Sequence, residues 1–392
     1  MKNFSDLKKF IFNNDNFLFT LMLIFLFSSN FSIAVCYMTF SLILIFASYK
    51  MLKEKTKIQL PPFFKYLVLF SITTIISTIF AIDPLNSLND NKELLIFLLV
   101  PVYVLILDRK RKVQIAIYTL LFSSFFSSLT GIITSLNKGI SLSHRLKGFT
   151  SHWMTYSGLL MLVFIFFFIY TALREKGKQK YLNFILLSIV LISILLSLTR
   201  QVWVGIIVSI FIFIVFYFKK KPVFPVILII SLLILTLILP GSIKKRALSI
   251  FDINNETNKD RIYMAYTAIE MIKDYPLTGV GADNVKKVFR KYRHPDAKKD
   301  NPHLHNNFLQ IGAERGLVSL AIFLILFLKI FSDLIKLIKH GDSYERNFSI
   351  PVLFLLIGFL TAGMFEYNFG DSEIKFILFF FLTLPFLKPE EE

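Results

Sequence analysis

The stretch NPHLHNNFLQ, residues 301–310, carries two of the chain's six histidines, His303 and His305, two positions apart. A neutral imidazole can take a proton from a hydroxyl, and histidine is the side chain most often used as a general base. Asn301 suits a helix N-cap and Pro302 the first helical position. That reading puts His305 in the first turns of a helix whose stripe runs through Leu304, Phe308 and Ile311. The positive end of the helix dipole disfavours imidazolium there and so favours the base form. His303 is expected on another side of the same helix. A plain helix start with two incidental histidines accounts for the local sequence equally well. A zinc site has less support, because His-x-His shows no third or fourth ligand.

Three arginines could serve such a base by holding an anion. Residues 182–218 are almost wholly apolar and are broken at Thr199-Arg200-Gln201. The run is too long for one membrane crossing, which needs about 20 residues. It reads as two helices in a tight hairpin with Arg200 at the rim. A charge beside the apolar zone marks a functional site by default, although an arginine snorkelling to lipid phosphates would look the same. Arg261 opens a helical pattern over 261–275, and a cation at a helix N-terminus is better explained if an anion also sits there. Asp260 is the simpler partner for it. SHRLKGFTSHW (143–153) adds Arg145 and His152 on another loop, where an interfacial basic loop with an aromatic anchor is the plainer reading. No Gly-rich phosphate loop and no Asp-x-Asp pair occurs, so neither an ATP signature nor an obvious carboxylate metal site is expected.

The elements that must position these residues are membrane helices. Of 392 residues, 55% are hydrophobic, with 45 Phe, more than an average soluble domain carries. Apolar runs able to cross roughly 30 Å of hydrocarbon alternate with short charged clusters. An all-α polytopic membrane protein with about twelve helices is expected, because a bilayer leaves no backbone group unsatisfied. The spans fall near 16–29, 32–49, 62–81, 93–108, 113–136, 155–173, 182–199, 201–218, 223–240, 315–335, 348–366 and 374–387. MKNFSDLKKF reads as the lead-in to a retained first span, since no small-residue cleavage site follows. Basic clusters at 50–57, 109–112, 174–180, 219–221 and 336–346 fall on one side; AIDPLNSLND (81–90) and EYNFGDSE (366–373) fall on the other. The positive-inside rule makes the basic side cytoplasmic, with both termini there.

The organisation is then helices one to nine over 1–240, a large outer loop over 241–314, and helices ten to twelve over 315–392. Within the loop, RIYMAYTAIEMIKDY (261–275) sets Ile262, Tyr266 and Ile269 on one helical face, and YPLTGVGADN (275–284) breaks it. Residues 241–300 hold 13 Lys/Arg against 8 Asp/Glu, a basic excess on the side where topology does not ask for one. An anionic ligand explains it most simply. The formal charge of +18 would suggest nucleic acid in a soluble chain; here topogenic lysines account for most of it, and no nucleic-acid partner is expected. The single Cys36 excludes a disulfide framework.

LTRQVWVG (198–205), DRIYMAYTAIEMIKDYPLTGVGADN (260–284) and NPHLHNNFLQIGAERGLVSL (301–320) come in an order that resembles the O-antigen ligase/polymerase superfamily of bacterial envelope glycosyltransferases. The resemblance covers about 140–325. It implies a GT-C-type, inverting, metal- and cofactor-independent glycosyltransferase of the inner membrane, working on its periplasmic face within lipopolysaccharide biosynthesis. The donor would be a glycan on undecaprenyl diphosphate and the acceptor lipid A–core oligosaccharide. His305 matches the family's base, Arg200 and Arg261 its diphosphate-binding arginines; Arg145 has a counterpart too, and His303 would support. A polymerase that extends the lipid-linked glycan and a protein-directed oligosaccharyltransferase of the same superfamily stay open. Outside enzymes, a lipid-linked glycan transporter is the rival. It would set charges near mid-membrane in several spans, whereas these cluster at one rim.

Overall fold

The structure is a computed structural model that describes residues 15–55, 57–136, 141, 144–218, 241–297, 300–301 and 303–391. Among the described residues the chain is helical, with no β-strand. It is an all-α polytopic membrane protein. Seven of these helices are long and apolar enough to cross a membrane. The helices in order are α1 Asp15–Ser28, α2 Ile33–Glu54, α3 Phe64–Ile79, α4 Pro84–Asp90, α5 Leu99–Ile106, α6 Lys110–Leu136, α7 Trp153–Arg174, α8 Gly177–Leu196 and α9 Arg200–Tyr217. After them come α10 Gly241–Leu248, α11 Glu256–Asp274, α12 Val285–Tyr292, α13 Asn307–His340, α14 Ser343–Gly363 and α15 Ser372–Thr383.

Several elements differ from the expected spans. The fourth is a 3-10 stretch, Asn91–Leu98, followed by the short α5. Pro101 lies in the first turn of α5 and cannot donate back to the carbonyl four residues earlier, so the α-helix restarts there. The twelfth is the 12-residue α15, whose Phe376–Leu382 are all buried. A helix apolar on every face belongs inside a bundle, and α15 lies in its centre against α7, α5 and the 3-10 stretch. The ninth, 223–240, and the basic cluster 219–221 lie outside the described residues, as does the lead-in 1–14. The expected hairpin forms: α8 ends at Leu196 and α9 starts at Arg200, with Leu198 in the left-handed region at φ 54°.

With little apolar contrast between lipid and protein, packing and hydrogen bonds hold such a bundle. Ser209 donates to the Phe354 carbonyl at 2.7 Å, joining α9 to α14, and Tyr103 donates to the Phe376 carbonyl at 3.1 Å, joining α5 to α15. A ring-on-ring seam through Phe70, Phe97, Phe323, Phe369 and Phe379 fills the space between α3, α13 and α15.

The charged loops sort to two ends. Lys50 pairs with Asp15, Lys110 with Glu391 and Lys388 with Glu345 at one end. At the other, the 81–90 loop meets the large loop through Lys287–Asp83 and through Asn86, which donates to the Asp283 carbonyl at 3.0 Å. The segment 276–281 threads a kink in α13. Val280 N donates to Ala313 O and Leu317 N to Pro276 O, each at 2.8 Å. Gly316 at the kink has φ 78° and ψ 171°, a region closed to side chains. A Cβ there would meet the Leu277 carbonyl oxygen at 2.1 Å, and one on Gly279 would meet Glu314 backbone at 2.3 Å. Gly316→Ala is therefore expected to destabilise the protein by about 2–4 kcal/mol, seen as a lower melting temperature in detergent.

Candidate active site

The second end of the bundle gathers the residues singled out above. Asn306, not Asn301, caps α13: its side chain accepts from Phe308 N at 2.9 Å and Leu309 N at 3.0 Å. The expected helix from 301 is not formed; Leu304–Asn306 is an irregular turn, and Pro302 lies outside the described residues. The reason is local, since Asn306 satisfies two orphan N–H groups that a start at 301 would leave to others. His305 therefore precedes the helix, with φ 47°. A bulky residue held in the left-handed region costs about 1–3 kcal/mol and is common at active sites. Asn306 also donates to Met364 O at 2.9 Å and Asn307 to Asn368 Oδ1 at 2.6 Å, so the turn is laced to the loop 364–371.

That lacing delivers a carboxylate. Both Glu366 oxygens lie 2.9 Å from His305 Nδ1, with the two side chains 14% and 24% exposed. Burial pushes the Glu366 carboxyl up; the hydrogen bond and charge of His305, with the Arg261 charge, outweigh it and hold the group below the usual carboxylate range. An ionised carboxylate only accepts, so the Nδ1 proton is assigned to His305, and in the neutral form of the ring the lone pair is at Nε2. The underside of the loop is fixed too. Arg315 donates to Tyr367 Oη at 3.1 Å and to Glu314 at 2.9 Å, and it reaches Asp90 at 3.3 Å. His303 stands exposed beside this dyad, its ring 6.1 Å from that of Tyr367.

Arg200 is buried at 4% exposure. Its Nη1 donates to Ser249 O at 2.6 Å and Ser249 Oγ at 3.1 Å, and its Nη2 to Thr257 Oγ1 at 2.7 Å and Asn258 Oδ1 at 2.8 Å. It fastens the large loop to the rim of the α8–α9 hairpin. Arg261 is not at a helix start, because Asn255 caps α11 six residues earlier. Arg261 therefore lies beyond the first turn, where the helix dipole acts most strongly. Arg261 turns to the dyad instead, its Nε donating to Phe365 O at 3.2 Å. The α11 helix forms, but Ile262, Tyr266 and Ile269 are its exposed face. Met264, Ala268 and Met271 are buried, against Val285, Phe289 and Ala313. Arg145 lies 4.8 Å over the Trp153 ring.

Arg246 joins this group and was not singled out in the sequence. Its Nε donates to Leu198 O at 3.2 Å. Burial, then the charges of Arg200, Arg145 and Arg261, pull its pKa down to about 10. Four guanidiniums thus share one field, an arrangement that an anion relieves. His152 is a further member: its Nδ1 accepts from Met154 N at 3.3 Å as the N-cap of α7, and burial lowers its pKa, so it stays neutral.

Asp371 closes the loop's far side and accepts from Thr155 Oγ1 at 3.0 Å. Burial, then the Glu366 charge, pushes it up to about 7. Its folded pKa exceeds the unfolded value, so ionisation penalises the fold increasingly as pH rises toward 7 and fully above it. Asp371→Asn keeps the acceptor and is expected to stabilise by about 1–2 kcal/mol more at pH 8.5 than at pH 5.5. Thermal melts at the two pH values check it. No group of three or more His, Cys, Asp or Glu side chains suited to a metal occurs among the described residues.

Residues 182–324 match the family model described as O-antigen ligase. The match contains Arg200, Arg246, Arg261 and His305, and it leaves Arg145, His152, Glu366 and Asp371 outside. No curated protein gives a significant match.

Proposed function

We propose, from the premise that this chain belongs to the O-antigen ligase superfamily through residues 182–324, that it is a metal-independent, inverting ligase. In this reading it moves a glycan from undecaprenyl diphosphate to lipid A–core oligosaccharide at the periplasmic face of the inner membrane. The observation that carries it is the His305–Glu366 dyad set beside four arginines at one end of a membrane bundle.

An acceptor hydroxyl gives its proton to His305 Nε2 as its oxygen attacks the anomeric carbon. The bond from that carbon to the diphosphate oxygen breaks with its electron pair, inverting the centre and releasing undecaprenyl diphosphate. Glu366 holds the ring and stabilises the imidazolium that forms. Charge grows on the leaving diphosphate, and preorganised cations there lower the barrier. Arg261 and Arg246 are the arginines best disposed to contact it. Arg200, whose terminal nitrogens are already bonded to the loop, supplies charge and anchors that loop. Arg145 adds to the field, and His303 borders the acceptor side of the dyad. Both substrates are lipids, which suits a base at the rim of the spans.

The test uses purified protein with undecaprenyl-diphosphate-linked glycan, with and without lipid A–core, resolved by size. Product only with lipid A–core supports the ligase. Longer glycan still on undecaprenyl diphosphate, made without it, replaces this reading with a polymerase. No product in either tube turns the reading to a protein acceptor or to transport.

A further inference from the structure

We infer that the turn Leu248–Ile253 is a lipid-surface anchor, seated in the headgroup region of the leaflet on the active-site side. The apolar side chains of this turn and of α10 before it divide in two. Ile243, Ala247 and Ile250 pack against the bundle core. Leu248, Phe251 and Ile253 point away and are 58%, 85% and 73% exposed, Phe251 more than any other large apolar residue described. A turn held in place by one apolar set would not need a second set in water.

Its height is fixed by independent contacts. Arg200, first residue of the membrane helix α9, bonds Ser249, Thr257 and Asn258; Arg246 bonds Leu198 in the α8–α9 turn; Asn258 donates to Ser249 O at 3.0 Å and Asp252 O at 2.8 Å. The turn is therefore tied to the rim of two helices whose outward residues, Ile185, Ile192, Ile207 and Phe211, are exposed for lipid. The apolar wedge continues that surface. Lys244, Lys245 and Lys259 flank it, set against Asp252 and Glu256, and basic side chains beside exposed Phe, Ile and Leu are the pattern of an interfacial segment.

Cys36 is the chain's one cysteine and is buried, so Cys36→Ala gives a background for single labels. The full-length protein would carry Phe251→Cys, Ile253→Cys or, as a control on the exposed Arg290, Arg290→Cys, each with an environment-sensitive fluorophore. It would be placed in nanodiscs of phosphatidylglycerol and phosphatidylcholine containing nitroxide-labelled lipid. Quenching at 251 and 253 is expected to exceed that at 290 by about threefold or more. Quenching at 251 and 253 no greater than at 290 overturns the proposal. So does loss of nitroxide access together with crosslinking between copies through Phe251→Cys, which would make the wedge a protein interface.

Discussion

Replacing His305 with Ala is expected to lower glycan transfer by about 10²–10⁴-fold, the usual contribution of a positioned general base. The protein should still insert, since His305 lies in an irregular turn and caps no helix, with a lower melting temperature because Glu366 loses its partner. The left-handed φ of 47° at His305 even makes the substitution slightly awkward rather than favourable. Glu366→Gln should lose less. A glutamine oxygen can still accept from Nδ1, keeping the tautomer, but it cannot offset the charge of the imidazolium that forms. The ranking is the informative part: His305→Ala worst, Glu366→Gln intermediate, His303→Ala mildest. Transfer within tenfold of wild type in His305→Ala, measured on purified protein, would remove it as the base. A Glu366→Gln loss as deep as that of His305→Ala would mean the carboxylate itself handles the proton.

Much of this arrangement was legible in the residue order, and the rest was hidden for identifiable reasons. The α8–α9 hairpin is written in the polar break at 199–201, because nothing else interrupts so long an apolar run. His305 stood out in the sequence as the candidate base, but its setting did not. The N-cap signals Asn301 and Asn306 both occur in NPHLHNN, and local sequence does not say that Asn306 also has Met364 to bond. Glu366 was read only as one acid in a topogenic loop, since its role depends on His305, 61 residues earlier. Periodicity groups the bulky Ile262, Tyr266 and Ile269 on one face of α11, which is the exposed one, and does not say which face is buried. Helices that approach closely bury smaller and more pliant residues, here Ala268, Met264 and Met271. Pro-Leu-x-Gly-x-Gly looked like a loop breaker. Its Gly279 permits the close approach to the α13 backbone in the helix that carries the His305 turn, and its Gly281 the approach to Ala81 and Ser87.

Lysine substitutions at Arg200 and Arg261 are expected to fail in two distinguishable ways. Arg200 spends Nη1 and Nη2 on four acceptors spread over Ser249, Thr257 and Asn258. One ammonium, at a single point, cannot span that fork. Arg200→Lys should therefore lose about 10²-fold in transfer, as for a displaced positioning group, and also loosen residues 249–258. Faster amide exchange over that segment reads the loosening. Arg261 makes one backbone bond, from Nε to Phe365 O, and sits within the field of the Glu366 carboxylate. Arg261→Lys should lose transfer to a similar depth, because bidentate contact with phosphate is what an arginine offers over a lysine, while exchange over 249–258 stays unchanged. Two substitutions of the same chemistry thus separate an anchor from a ligand. Full activity in Arg200→Lys would show that the loop holds without its fork. Loosening of 249–258 in Arg261→Lys as well would show that this arginine too is part of the scaffold, and the diphosphate contact would then rest on Arg246 and Arg145.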